Sequence, residues 1–74
     1  MVQYEAFIKD RWHPIVRYDT AHGFPHRALL HPNQPTEKIP FPERDNAEIL
    51  TLGQEDIRRN WIDYRARYEQ EMKK

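Results

Sequence analysis

The sequence predicts a small α+β domain: a three- to four-stranded antiparallel β-meander with one C-terminal α-helix packed on it. Three observations point there. Alternation with a period of two runs through the first quarter of the chain, prolines crowd the middle, and an apolar stripe at helical spacing occupies the end. At 74 residues the chain is read as a single domain, with a β-rich part over 3–41, a linker over 42–50 and a helix over 51–72.

Residues 4–9 read as the first strand, with Tyr4, Ala6 and Ile8 on one face and Glu5, Phe7 and Lys9 on the other. Asp10-Arg11 reads as the turn. Residues 12–19 read as the second strand, with Trp12, Val16 and Tyr18 on one face and His13, Ile15, Arg17 and Asp19 on the other. Pro14 lacks an N–H to donate and belongs at an edge, a bulge or the strand start. The expected hairpin pairs 3–9 with 12–19. Gly23 and Pro25 make Ala21-His22-Gly23-Phe24-Pro25 a turn, because glycine tolerates positive φ and proline presets its own. A third strand follows over 26–31.

Pro32, Pro35, Pro40 and Pro42 forbid a helix in the next stretch, which offers a short edge strand over 38–41. Thr51 and Gln54 have capping-box spacing and predict the helix start. Beyond them Ile57, Trp61, Tyr64 and Tyr68 recur at 4-3-4 spacing and read first as core, second as a dimer seam or partner surface. Glu55–Arg59, Asp63–Arg67 and Arg65–Glu69 are i,i+4 pairs, so the arginines read as a solvated face. The helix is about 30 Å long at about 1.5 Å per residue, enough for its last turns to overhang the sheet.

Twelve cationic and twelve acidic side chains cancel, which argues against a bulk electrostatic grip on nucleic acid and leaves only local contacts. The absence of cysteine removes disulfides and thiolate metal sites. No apolar run reaches the length of a membrane span and no basic-then-apolar leader opens the chain, so a cytoplasmic protein without membrane partners is expected.

Residues 17–32 concentrate the groups that can do chemistry, including three of the four histidines. A histidine takes and gives protons near neutral pH. If the turn folds Asp19 and His22 back toward His26, then His22, His26 and Asp19 form a catalytic set. Arg17 and Arg27 would offer planar forks for a phosphate. That inventory suits metal-independent RNA cleavage: one imidazole deprotonates the ribose 2′-OH, another protonates the leaving oxygen, and an arginine stabilises the pentavalent charge. It calls for no cofactor. Two rival uses exist. His22, His26 and Asp19 can be read as a metal site, or the histidines can simply cap turns around Pro25 and Pro32. His13, beside Trp12 and Pro14, reads as structural, and His31 as the histidine least tied to the set.

The segment Arg17-Tyr18-Asp19-Thr20-Ala21-His22-Gly23-Phe24-Pro25-His26-Arg27 resembles the signature of a family of small uncharacterised prokaryotic proteins. More distantly it is similar to the Arg-Tyr-Asp-Asn-Ala-His-type segment of TumE-type toxins of toxin–antitoxin pairs, a group for which ribonuclease activity has been proposed. The pattern Asn60-Trp61…Tyr64-Arg65…Tyr68 is similar to the C-terminal helix of the uncharacterised family, and Ala28 departs from it where an acidic residue is usual. The resemblance implies a toxin–antitoxin-related protein acting on RNA. The partner classes left open are RNA, a cognate antitoxin or other protein, and a second copy of the chain. The alternative is a non-enzymatic interaction domain or homodimeric adaptor with no catalytic site.

Overall fold

The computed structural model describes residues 1–20 and 24–73. It is an α+β fold. Four strands, β1 (Val2–Ile8), β2 (Arg11–Asp19), β3 (His26–Leu29) and β4 (Glu37–Pro40), form one antiparallel sheet in the order β1-β2-β3-β4, and one helix, α1 (Asn46–Met72), follows.

The β1–β2 hairpin turns at Lys9-Asp10, one residue earlier than expected, with Ile8 opposite Arg11. Both turn residues have positive φ, 53° and 64°, as a primed two-residue turn requires. Further along, the register shifts between Tyr4 and Glu5: Tyr4 faces Val16, while Glu5 faces Pro14. Ile15 is the extra residue of a β-bulge, and Pro14 sits at it. The bulge breaks the alternation, so Ile15 and Val16 are both fully buried. It also reverses the expected faces at the strand start. Trp12 stands on the outer face against Phe7, with ring centroids 5.3 Å apart, whereas His13 packs on Tyr68 beneath the helix at 5.4 Å.

The helix begins at Asn46, five residues before the expected start at Thr51. The Asp45 carboxylate accepts from the Glu48 N–H at 2.8 Å and caps it. Thr51 and Gln54 are exposed mid-helix positions and cap nothing. The helix packs chiefly on β1 and β2 through Ile49, Gly53, Ile57, Tyr64, Tyr68 and Met72. Trp61 lies at the rim, edge-on to Tyr4 at 6.5 Å. Gly53 is there because space demands it: a Cβ would meet the Tyr18 ring at 2.6 Å. The last turn does not overhang. Met72 packs on the core, Glu71 reaches His31, and Arg67 stands 3.8 Å from Glu71.

Two buried clusters make up the core. Ala6, Ile8, Ile15 and Tyr68 form one; Val16, Tyr18 and Ile49 form the other, and Tyr4 and Tyr64 touch both. All of this lies between helix and sheet, so the helix covers one sheet face, and among the described residues no second helix or sheet covers the other, here called the bare face.

Candidate functional site

Register on the bare face sets up a small grid. On β2, Arg17 and Asp19 point outward, alternating with Val16 and Tyr18 in the core. Arg17 faces Ala28, and Ala28 faces Lys38; Asp19 faces His26, and His26 faces Pro40. Two adjacent cross-strand rows result, Arg17–Ala28–Lys38 and Asp19–His26–Pro40. Directly opposed side chains in an antiparallel pair have Cβ atoms about 5 Å apart, so Asp19 and His26 are neighbours and the two cations are diagonal to the imidazole. Ala28 is fully buried yet belongs to neither core cluster, which fits a small residue enclosed between the longer Arg17 and Lys38 chains. The Arg17 Nε is buried and makes no hydrogen bond. Phe24, 46% exposed, stands two residues before β3 and lines a cleft of about 290 Å3 with His26, Lys38 and Pro40.

The structure therefore brings Arg17, Asp19 and His26 onto one face. It places Arg27 on the other, because strand alternation turns that side chain toward the helix. There Arg27 donates to the Tyr64 hydroxyl at 3.5 Å, beside Asp56. Asp56 accepts from Tyr18 at 2.7 Å, from Asn60 at 2.8 Å and from Tyr64. Burial alone would raise the Asp56 carboxyl. The three hydrogen bonds and the Arg27 charge outweigh it and hold the group below its ordinary value. Burial and the Asp56 carboxylate push both tyrosine hydroxyls upward. This network is a sheet-to-helix tie with every hydroxyl engaged. His22 lies outside the described residues.

His31, set aside in the sequence reading, is the most engaged of the described histidines. Its side chain is 9% exposed and spans two carboxylates, Glu71 at 2.5 Å on Nδ1 and Glu37 at 2.9 Å on Nε2. Asn33 donates to the Glu71 carbonyl at 3.3 Å beside it. The carboxylates sit on opposite ring nitrogens, so they clasp the ring and share no central point. The hydrogen bond to Glu37 raises the His31 pKa, burial opposes it, and Glu71 adds to the rise. Among the described residues no three His, Asp or Glu side chains converge as metal ligands.

Sequence reasoning missed Lys38, Asp56 and the partners of His31. Lys38 was visible as a candidate edge-strand residue, but nothing local places it two strands from Arg17. Asp56 and Glu71 reach their partners only through the fold.

These features define a small α+β protein: a meander backed by one long helix, whose face away from the helix bears an aspartate–histidine pair beside two cations. The chain belongs to a family described as a domain of unknown function, DUF7718, whose model matches residues 1–74. No curated protein and no solved structure matches it. No helix among the described residues is long and apolar enough to cross a membrane.

Proposed function

We propose that this protein acts on RNA at the bare face of its sheet, as a small toxin–antitoxin-related endoribonuclease. The observation that supports this reading is the pair of cross-strand rows, which sets Asp19 and His26 next to Arg17 and Lys38. In this reading His26 takes the proton of a ribose 2′-OH. The oxygen attacks the adjacent phosphorus, the bond to the 5′ oxygen breaks, and that oxygen leaves protonated, giving a 2′,3′-cyclic phosphate end. Asp19 orients His26, and Arg17 steadies the charge that builds on phosphorus. Arg27, assigned to phosphate by the sequence alone, has no part here because it serves the Asp56 network. The second acid/base is His22 in the sequence reading.

The zero net charge confines the electrostatics to this patch, so binding is local and modestly salt-dependent. Incubating the protein with end-labelled single-stranded RNA tests the reading. Cleavage leaving cyclic phosphate ends is expected, and His26→Ala lowers its rate by roughly 100-fold or more. Arg17→Ala weakens RNA binding as well. RNA that is neither bound nor cut, or cleavage indifferent to His26→Ala, refutes the proposal.

A second reading has its own observation. Phe7 and Trp12 stand side by side on the same face, 49% and 66% exposed, and neighbouring aromatics of this kind suit a protein interface. This is the adaptor alternative, seated on the sheet and not on the helix stripe, because Tyr68 is buried and the Tyr64 hydroxyl is spent on Asp56. Sedimentation of the wild type and Trp12→Ser separates the readings: a dimer dissolved by the substitution favours the adaptor.

A further inference from the structure

We propose that the cleft between Phe24 and Pro40 seats one nucleobase, with the attached phosphate held by Lys38 and Arg17. The inference rests on the reading that this face meets RNA, and it names the unit that is recognised: a single nucleotide adjoining His26.

The walls carry the argument. Phe24 and Pro40 are apolar and exposed, and both line the cleft beside His26, whose strand neighbour is Pro40 itself. Every base has a flat π-face, and aromatic side chains on open sheets are used to stack unpaired bases. At about 290 Å3 the cleft lies at the lower end of the range for small-molecule sites, which suits one nucleotide and not a longer segment. Lys38 lines the same cleft, and one residue row away Arg17 faces it across Ala28. Because Ala28 has no polar atom on its side chain, nothing between the two cations competes for a phosphate.

Two other hollows fit less well. One, about 440 Å3 beside the helix start, contains the Asp45 and Glu48 carboxylates, which disfavour phosphate there. The one at His31 is only about 110 Å3 and is lined by the Glu71 carboxylate already paired with that imidazole.

Adenosine 3′-monophosphate and inorganic phosphate serve as probes for the full chain, with the Phe24 and His26 ring resonances followed by NMR. The nucleotide is expected to shift both rings and to bind roughly 5- to 150-fold more tightly than phosphate, the range that stacking on one aromatic supports. Phe24→Ala should reduce the nucleotide to the affinity of phosphate. Lys38→Ala should weaken both probes alike. Both side chains are exposed, and circular dichroism of each variant checks that the fold persists. Equal affinity for nucleotide and phosphate in the wild type overturns the base seat while leaving RNA contact through Arg17 standing. Failure of both probes together with failure of labelled RNA to bind overturns both readings. Tighter binding of O-phosphotyrosine than of the nucleotide overturns the base seat in favour of a phosphopeptide.

Discussion

Asp56 is where single atoms matter most. Its carboxylate receives hydrogen bonds from Tyr18, Asn60 and Tyr64 and lies near the Arg27 charge, so two sheet residues and two helix residues converge on it. Asp56→Asn keeps the shape but replaces the anion by a neutral amide. The two hydroxyls then lose their charged acceptor and Arg27 loses its counter-charge. Hydrogen bonds to charged groups contribute about 1.5–3 kcal/mol each in favourable settings, and this half-buried site is partly screened, so a loss of about 2 kcal/mol is expected in urea unfolding. The pH dependence has a definite sign. A carboxyl whose folded value is depressed adds stability above its unfolded value, and that stability disappears as pH falls through the folded value. Wild type should therefore lose stability on acidification faster than Asp56→Asn. Parallel acid curves would show that the network carries no charge-dependent stabilisation. Gly53 makes the complementary case for space. Alanine is the better helix former by about 1 kcal/mol, but its Cβ would fall 2.6 Å from Tyr18 Cγ and 2.7 Å from Cδ1. That ring is buried and tethered to Asp56, so it has little room to retreat. Overpacking of this kind costs about 1–3 kcal/mol, and Gly53→Ala should lower the unfolding midpoint. A raised midpoint would mean that Tyr18 moves freely.

At the scale of elements, the clasp at His31 ties the segment between β3 and β4 to the last helical turn, through Glu71 on one ring nitrogen and Glu37 on the other. Charged groups from each packed element bear on it: Glu37 from β4, and Glu71 with Arg67 from the helix. The imidazole is more basic when folded, so its contribution is complete below the ordinary histidine value of about 6.5. That contribution is lost as pH rises through the raised folded value. Glu71→Gln should cost about 1 kcal/mol at pH 6 and progressively less toward pH 9, read as the difference in urea midpoints. A difference independent of pH would exclude a charged clasp. Glu37 is mostly exposed, and screening leaves it the smaller share. Elements also show how far sequence reasoning reached. The hairpin, the edge strand and the Ile57–Tyr68 stripe follow from local periodicity and were legible. The bulge was not, because period-two alternation assumes that no residue is inserted; one insertion at Ile15 exchanged the faces of Trp12 and His13. The true cap, Asp45 with Glu48 three residues on, has an acidic capping pattern but lay inside the polar stretch over 42–50 read as a linker. Of the site, Arg17, Asp19 and His26 were legible as a cluster in sequence. The separation of Arg27 from His26 was implicit in the strand read over 26–31, since adjacent residues of a strand take opposite faces, but which face meets the helix came only from the fold.

For the whole molecule, the question is whether so small a core behaves as one unit. The two buried clusters sit toward opposite ends of the helix, one around Ile49 and the other around Tyr68, and Tyr4 and Tyr64 pack against both. Tyr64 is also held by its hydrogen bond, so Tyr4 on the edge strand is the purely apolar join. A domain of this size has a net stability of a few kcal/mol, and truncating a partly buried aromatic to alanine removes about 3. Tyr4→Ala should thus bring the protein close to its unfolding midpoint in plain buffer. Native-state hydrogen exchange reports which parts fail. The amides of Gly53, against Tyr18, and of Tyr68 read the two clusters separately. If the clusters are coupled through Tyr4, protection at both positions falls by the same amount in Tyr4→Ala. If Gly53 keeps its wild-type protection while Tyr68 exchanges freely, the clusters fold independently. The bare face would then be supported by the second cluster alone, since Val16 and Tyr18 lie on the β2 strand that also presents Arg17 and Asp19.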